Sequence, residues 1–235
     1  MNVVSIMAHQ DDEMRCLGTM LKCRARGDRL AFITLTDGSL GFVQEPTISR
    51  AKATEIRQRE MDALASEMDA TYLNLRELDE FLYDSPELRR RLIEAIRATR
   101  ADVVFTHYHE DYNQDHVTTS LLVRHCLMQA ALPVIPTASK PLPRVPAAFL
   151  VPPHGAFEFA PSHFVDITEY EAHKVRLLQR HQSQEEAMQQ AVNAGFEQLC
   201  HRPDAYWGEQ AGCAFAECFV PLRSRGTIKP YSVLP

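Results

Sequence analysis

Residues 7–16 read MAHQDDEMRC, which places one imidazole, His9, and three consecutive acids, Asp11, Asp12 and Glu13, within five positions. Adjacent carboxylates repel one another, so water or a cation must offset their charge. A divalent metal needs several neutral or anionic donors converging at about 2.0–2.2 Å. His9 and Asp12 are three residues apart. With a strand ending near His9 and a helix starting near Asp12, both side chains can point into one crevice. Asp11 then faces another way and can reach water at the metal without ligating it. The helix entrance adds partial positive charge, which favours carboxylates there. Acids at a helix start are also ordinary capping residues, so the case depends on a further ligand elsewhere. The stretch THYHEDYNQDH, 106–116, offers His107, His109, Glu110, Asp111, Asp115 and His116.

Both clusters follow apolar runs. NVVSI precedes the first and ADVVF the second, and short continuous apolar runs fit strands buried on both faces. Strands are expected over 2–8, 30–36 and 101–107, with another over 71–75. Between them lie helical patterns. Leu88, Leu92, Ile96 and Thr99 share one face of a helix that Ser85 caps and Pro86 opens. A second helix covers 49–68, with Ile56, Ala63, Leu64 and Met68 on one side. This rhythm predicts an α/β fold with a mostly parallel, Rossmann-like sheet flanked by helices in three layers. Ligands of such sheets bind beyond the carboxyl ends of the strands, at the topological switch point. Both polar clusters leave such ends, so they face the same edge. Residues 133–153 hold seven of the 14 prolines and read as an extended loop that could line the site. Short strands and then helices resume after it, so one domain spanning 1–235 is expected.

Composition narrows the function classes. The formal net charge is −6 with acids and bases mixed along the chain, which argues against nucleic-acid binding and a polybasic membrane anchor. No apolar run approaches a membrane span, and the start lacks the pattern of a signal peptide. The six cysteines form no CxxC pair and read as free buried thiols of a reducing cytoplasm. The sequence does not set the oligomeric state, and a homo-oligomer stays open.

The motifs AHQDDE, 8–13, and DYNQDH, 111–116, resemble the paired motifs of the LmbE-like, or PIG-L, zinc-dependent deacetylases. Weaker likenesses follow in the same order: LTDGSLG after the second strand, EIRQRE, FVDIT, HQSQ and the segment GEQAGCAFAECF. The resemblance implies Zn2+ bound by His9, Asp12 and His116 with a position left for water. It implies Asp11 as the general base and Arg57 as a substrate contact, although Arg57 alone would read as a solvated mid-helix charge. The implied reaction is removal of an N-acyl (acetyl) group from an amino-sugar-type or related small molecule. His107 and His109 read as supporting or surface residues, and Glu13 as a structural hydrogen-bonding or capping group.

The chain departs from the family pattern at three positions. Gln10 and Gln114 replace prolines. Asn113 stands where many family members carry a histidine that polarises the carbonyl and protonates the leaving amine. Asparagine can donate a hydrogen bond to an oxyanion but cannot be a general acid. His163, just before FVDIT, is the preferred replacement; His154, His107, His109 and Glu45 are the other candidates. The departure also admits a hydratase that adds water to a C=C bond of an unsaturated carboxylated metabolite, with Arg57 or Arg50 holding the carboxylate. A binding protein with a dead site is a third reading, against which stands the presence of His9, Asp11, Asp12 and His116 together.

Overall fold

The computed structural model describes residues 1–155 and 157–223; residues 224–235 of the expected domain lie outside the described residues. Among the described residues, seven strands form one sheet: β1 (Asn2–Met7), β2 (Arg29–Thr36), β3 (Ala70–Glu77), β4 (Val103–Thr106), β5 (Ala147–Leu150), β6 (His163–Asp166) and β7 (Ala216–Pro221). Their order is β3-β2-β1-β4-β5-β7-β6. Pairings from β3 to β5 are parallel, and β7 runs antiparallel to both β5 and β6. β1 and β4 are neighbours, with Val3 opposite Val103 and Ser5 opposite Phe105. The chain winds outward from β1 to β3 and, after β4, in the other direction. The switch point therefore lies between the strands that precede the two polar motifs.

The described helices that cover the sheet are α1 (Leu17–Ala25), α2 (Arg50–Glu67), α3 (Pro86–Ala98), α4 (Gln114–Ala130), α5 (Glu171–Leu178), α6 (Gln182–Val192) and α7 (Phe196–Ala211). Alternation along the strands separates two cores. Val3 and Met7 join Phe32, Phe105 and Phe219 beneath α1, α2, α5 and α7. Val4 and Ile6 join Ile33 and Val104 beneath α3 and α4. The observed architecture is the three-layer α/β fold read from the sequence.

Three local expectations change. The buried side of α2 comprises Ala53, Arg57, Met61, Leu64 and Ala65, whereas Ala63 is exposed and Ile56 half-buried. Arg57 is thus on the core-facing side, because a carboxylate waits for it there. The proline-rich stretch is not one loop, since β5 occupies 147–150. Its first part packs against α3, and only the segment after β5 reaches the site.

Candidate functional site

The β1 chain ends at Met7 and turns into a short 3₁₀ segment, Asp12–Arg15. Asp11, at this turn, has a φ of 103°, a left-handed conformation costly for a side chain with a Cβ. Two contacts hold it: its N–H donates to Glu13 Oε2 at 2.9 Å, and its Oδ1 accepts from Arg57 Nη2 at 3.0 Å. Arg57 also donates to the Gln10 carbonyl. Behind Glu13, His181 Nε2 lies 2.8 Å from Oε1. After β4, Asn113 caps α4: its Oδ1 accepts from the N–H groups of Asp115 and His116, and its Nδ2 donates to Glu80. The cap sets Asp115 and His116 in the first turn of α4, facing His9.

His9, Asp12 and His116 converge. His9 Nδ1 lies 3.2 Å from Asp12 Oδ2. His116 Nε2 lies 3.3 Å from His9 Nδ1 and 3.3 Å from Asp12 Oδ1. Ligands at about 2.0–2.1 Å around a tetrahedral ion stand about 3.3–3.4 Å apart, so these spacings fit such an ion, with Asp12 turning a different oxygen to each imidazole. The other ring nitrogens face carboxylates. His9 Nε2 is 3.0 Å from Asp79 Oδ1 and 3.4 Å from Asp115 Oδ2. His116 Nδ1 is 3.1 Å from Asp111 Oδ2. Protons on those outer nitrogens leave the inner lone pairs free for a metal. The local field also calls for a cation. Burial opposes ionisation of Asp12, yet His116, His107 and His9 hold it well below the usual carboxylate range. Burial likewise opposes protonation of His116, yet Asp12 and Asp111 raise it to about 9.

The remaining residues line or flank a cleft of about 350 Å³ that holds His9, Asp11, Asp12, Arg57, Asn113, His116 and His154. Burial pushes Asp11 up to about 6; Arg57 pulls it back and Asp12 adds to the rise. His107 is not at the metal position. It accepts from the Ala8 N–H at 3.0 Å, stacks on His116, and is pushed down to about 4 by burial and by His116. His109 is exposed beside Glu110.

The structure does not bring His163, the preferred replacement acid, to the cleft. It begins β6, where its Nδ1 meets Ser162 Oγ and its ring packs on Phe149. The intervening strands β5 and β7 separate β6 from β4. His154, another of the candidates, does line the cleft. Its N–H donates to Asp111 Oδ2 at 3.0 Å, its ring lies 5.4 Å from that of His116, and its buried Nε2 has no hydrogen-bond partner among the described residues. Burial, then Arg15 and His116, hold it well below the ordinary histidine value, in the neutral form. Asn113 has both ends of its amide engaged in capping and in holding Glu80. Asp79 is the residue the sequence reading missed. It follows β3, whose exit, ELDEF, is polar like those of β1 and β4, although no continuous apolar run precedes it.

A family model described as PIG-L, GlcNAc-PI de-N-acetylase, matches residues 4–127, more than half of the chain. The chain belongs to the PIG-L family. It is therefore an enzyme of the deacetylase-like hydrolase type. The matched region ends inside α4 and contains both motifs that meet at the switch point. Solved structures share the fold. The N,N'-diacetylchitobiose deacetylase of Pyrococcus horikoshii is 23% identical with a TM-score of 0.81, over 93% of this chain and 82% of that one. A conserved protein of Thermus thermophilus is 27% identical with a TM-score of 0.80, over 98% of both chains. GalB, the 4-carboxy-2-hydroxymuconate hydratase of Pseudomonas putida, is 20% identical with a TM-score of 0.81, over 98% of this chain and 100% of that one.

Proposed function

We propose that this PIG-L enzyme is a zinc-dependent hydrolase that removes an N-acyl group from a small molecule, with His9, Asp12 and His116 as the metal ligands. One observation carries the reading: donor atoms of three residues from two separate motifs approach one another at 3.2–3.3 Å, Asp12 turning one oxygen to each imidazole, with a carboxylate behind the outer nitrogen of each ring. When bound, zinc supplies a Lewis acid that polarises an acyl carbonyl and acidifies water.

The chain's own residues supply the rest. Asp11, held by Arg57 and Glu13, takes the proton from the attacking water. Raised to about 6 by burial, the same carboxyl is then acidic enough to return that proton to the leaving amine. A separate acid at Asn113 is therefore not required. His154, neutral and with Nε2 unpaired, donates a hydrogen bond to the carbonyl oxygen as negative charge develops there. The hydratase reading draws on one observation, that Asn113 offers no proton to a leaving amine. It needs an arginine for the substrate carboxylate, and Arg50 and Arg57 already face Asp37 and Asp11.

The test is acetate release from N-acetyl substrates by the zinc-loaded protein. Asp11→Asn is expected to keep its zinc and lose about 10²- to 10⁴-fold in turnover. His154→Ala is expected to lose about 10²- to 10³-fold, and His163→Ala to lose nothing. Full activity in Asp11→Asn, or diene consumption without amide hydrolysis in the wild type, overturns the reading.

A further inference from the structure

The mouth of the cleft is apolar while its floor is charged. Leu40, Val43, Tyr112 and Val192 ring the opening, 48%, 52%, 71% and 61% exposed respectively. Met188 and Ala191 of α6 line the wall between them. These residues belong to a built wall. The Leu40 N–H donates to Asp79 at 2.7 Å, and Gln184 of α6 donates to the Gly41 carbonyl at 3.1 Å. Gln44 donates to the Ser183 carbonyl at 2.8 Å. The 40–44 stretch and α6 are thus tied together, and their apolar side chains line one opening. A Cβ on Gly41 would stand 3.1 Å from the Gln184 amide, so this close approach suits glycine.

The charges of the cleft point the same way. Asp11, Asp12, Asp79 and Glu80 line it. Among the described lining residues Arg57 is the one fixed cation, and its Nη2 faces Asp11. A divalent metal would balance two of the four carboxylates. Phosphate or carboxylate groups on a substrate would find a net acidic wall whose one fixed cation, Arg57, is buried with its Nη2 on Asp11 and only Nε and Nη1 without partners. Sugar hydroxyls seated at the mouth would lose water and find few partners.

We propose that the substrate of this enzyme is an uncharged N-acyl compound with an aromatic or aliphatic group that seats on Leu40, Val43, Met188 and Val192 at the cleft mouth. The proposal rests on the N-deacylase reading and names its substrate class.

Three probes test it: N-acetylglucosamine, its 6-phosphate and its phenyl β-glycoside. Deacetylation of the phenyl glycoside is expected to exceed that of the parent at least tenfold in kcat/KM, through KM, with the phosphate below the parent. Val43→Asp and Val192→Asp are expected to bring the phenyl-to-parent ratio close to one. Binding of the same probes to zinc-loaded Asp11→Asn, by calorimetry, is read independently of turnover. Tight binding of the phenyl glycoside without hydrolysis of any probe by the wild type would overturn the N-deacylase reading and leave the apolar subsite standing. Equal binding of all three probes, or tightest binding of the phosphate, overturns the subsite. A fall in oligomer mass in Val192→Asp would assign the apolar ring to a second copy of the chain and also overturn it.

Discussion

His9 has partners on both ring nitrogens, and this sets what it can ligate. Its Nε2 faces Asp79 and Asp115, a second group of donors that could hold an ion, and its Nδ1 faces Asp12 and His116, where the proposed metal sits. Asp79 does more than hold the ring. Its Oδ2 accepts from Leu40, so the carboxylate that orients the His9 ring also anchors the wall of the cleft. Asp79→Asn keeps an acceptor for the imidazole N–H but removes the negative charge. Zinc affinity is expected to fall about 10- to 100-fold in a chelator competition. Wild-type affinity in that variant would show that Asp79 does not support the ligand. Asp79 was legible in principle, as an acid beyond a strand end. It went unread because the strand before it, ATYLNLRE, is half exposed at the sheet edge and lacks the continuous apolar run that marked β1 and β4. The His163 assignment failed for a different reason. Its position near a strand start says nothing about how far that strand lies from the switch point, and the β5-β7-β6 order is not written in any local pattern.

At the scale of elements, α3 fastens the proline-rich segment. Arg97 is 2% exposed, yet no carboxylate pairs with it among the described residues. Its guanidinium donates to the carbonyls of Ala130, Leu132 and Ile135 at 2.7–2.9 Å and to Thr137. The last carbonyls of α4 carry partial negative charge and lack helical donors, so a cation there caps α4 and fixes the loop after it. One turn earlier Glu94 accepts from both the N–H and the hydroxyl of Ser139. Arg97→Met removes all of these bonds and leaves the Ile135 carbonyl without its donor, while the carbonyls of Ala130 and Leu132 keep the N–H groups of Leu142 and Ile135. A loss of about 3 kcal/mol or more in urea unfolding is expected; a loss below about 1 kcal/mol would mean that water replaces the guanidinium. The sequence shows a helix with the right apolar face here, but the buried arginine reads as surface charge, because its partners are backbone carbonyls that no residue type announces.

Across the whole molecule, the parallel half of the sheet and its switch point were legible because buried strands are short and continuous and the two polar motifs end neighbouring ones. The antiparallel β7 was not, since its direction is set by the helices that deliver it. One buried network ties that late strand to the early chain. Lys174 of α5 lies 2.5 Å from Asp204 of α7 and 2.9 Å from Glu217 of β7, and Glu217 accepts from the N–H groups of Gly18 and Thr19 at the start of α1. Burial pushes Asp204 up to about 8, against the pull of Lys174 and with Glu217 and Glu171 adding to the rise. The folded chain therefore binds this proton more tightly than the unfolded one, and the contribution of Asp204 to stability declines as pH rises from about 4 to about 8. Lys174 is raised as well, and its contribution is lost only above its ordinary value of about 10.4. Asp204→Asn is expected to flatten the fall in melting temperature between pH 5 and 8; an unchanged slope would show that Asp204 titrates normally. The whole arrangement serves one meeting point, where the segments after β1 and β4 bring His9, Asp12 and His116 together. Anomalous diffraction at the zinc edge from crystals of the zinc-loaded protein measures it most directly. The account predicts a peak about 2.0–2.2 Å from His9 Nδ1, an Asp12 oxygen and His116 Nε2; a peak elsewhere, or none among these three groups, would contradict it.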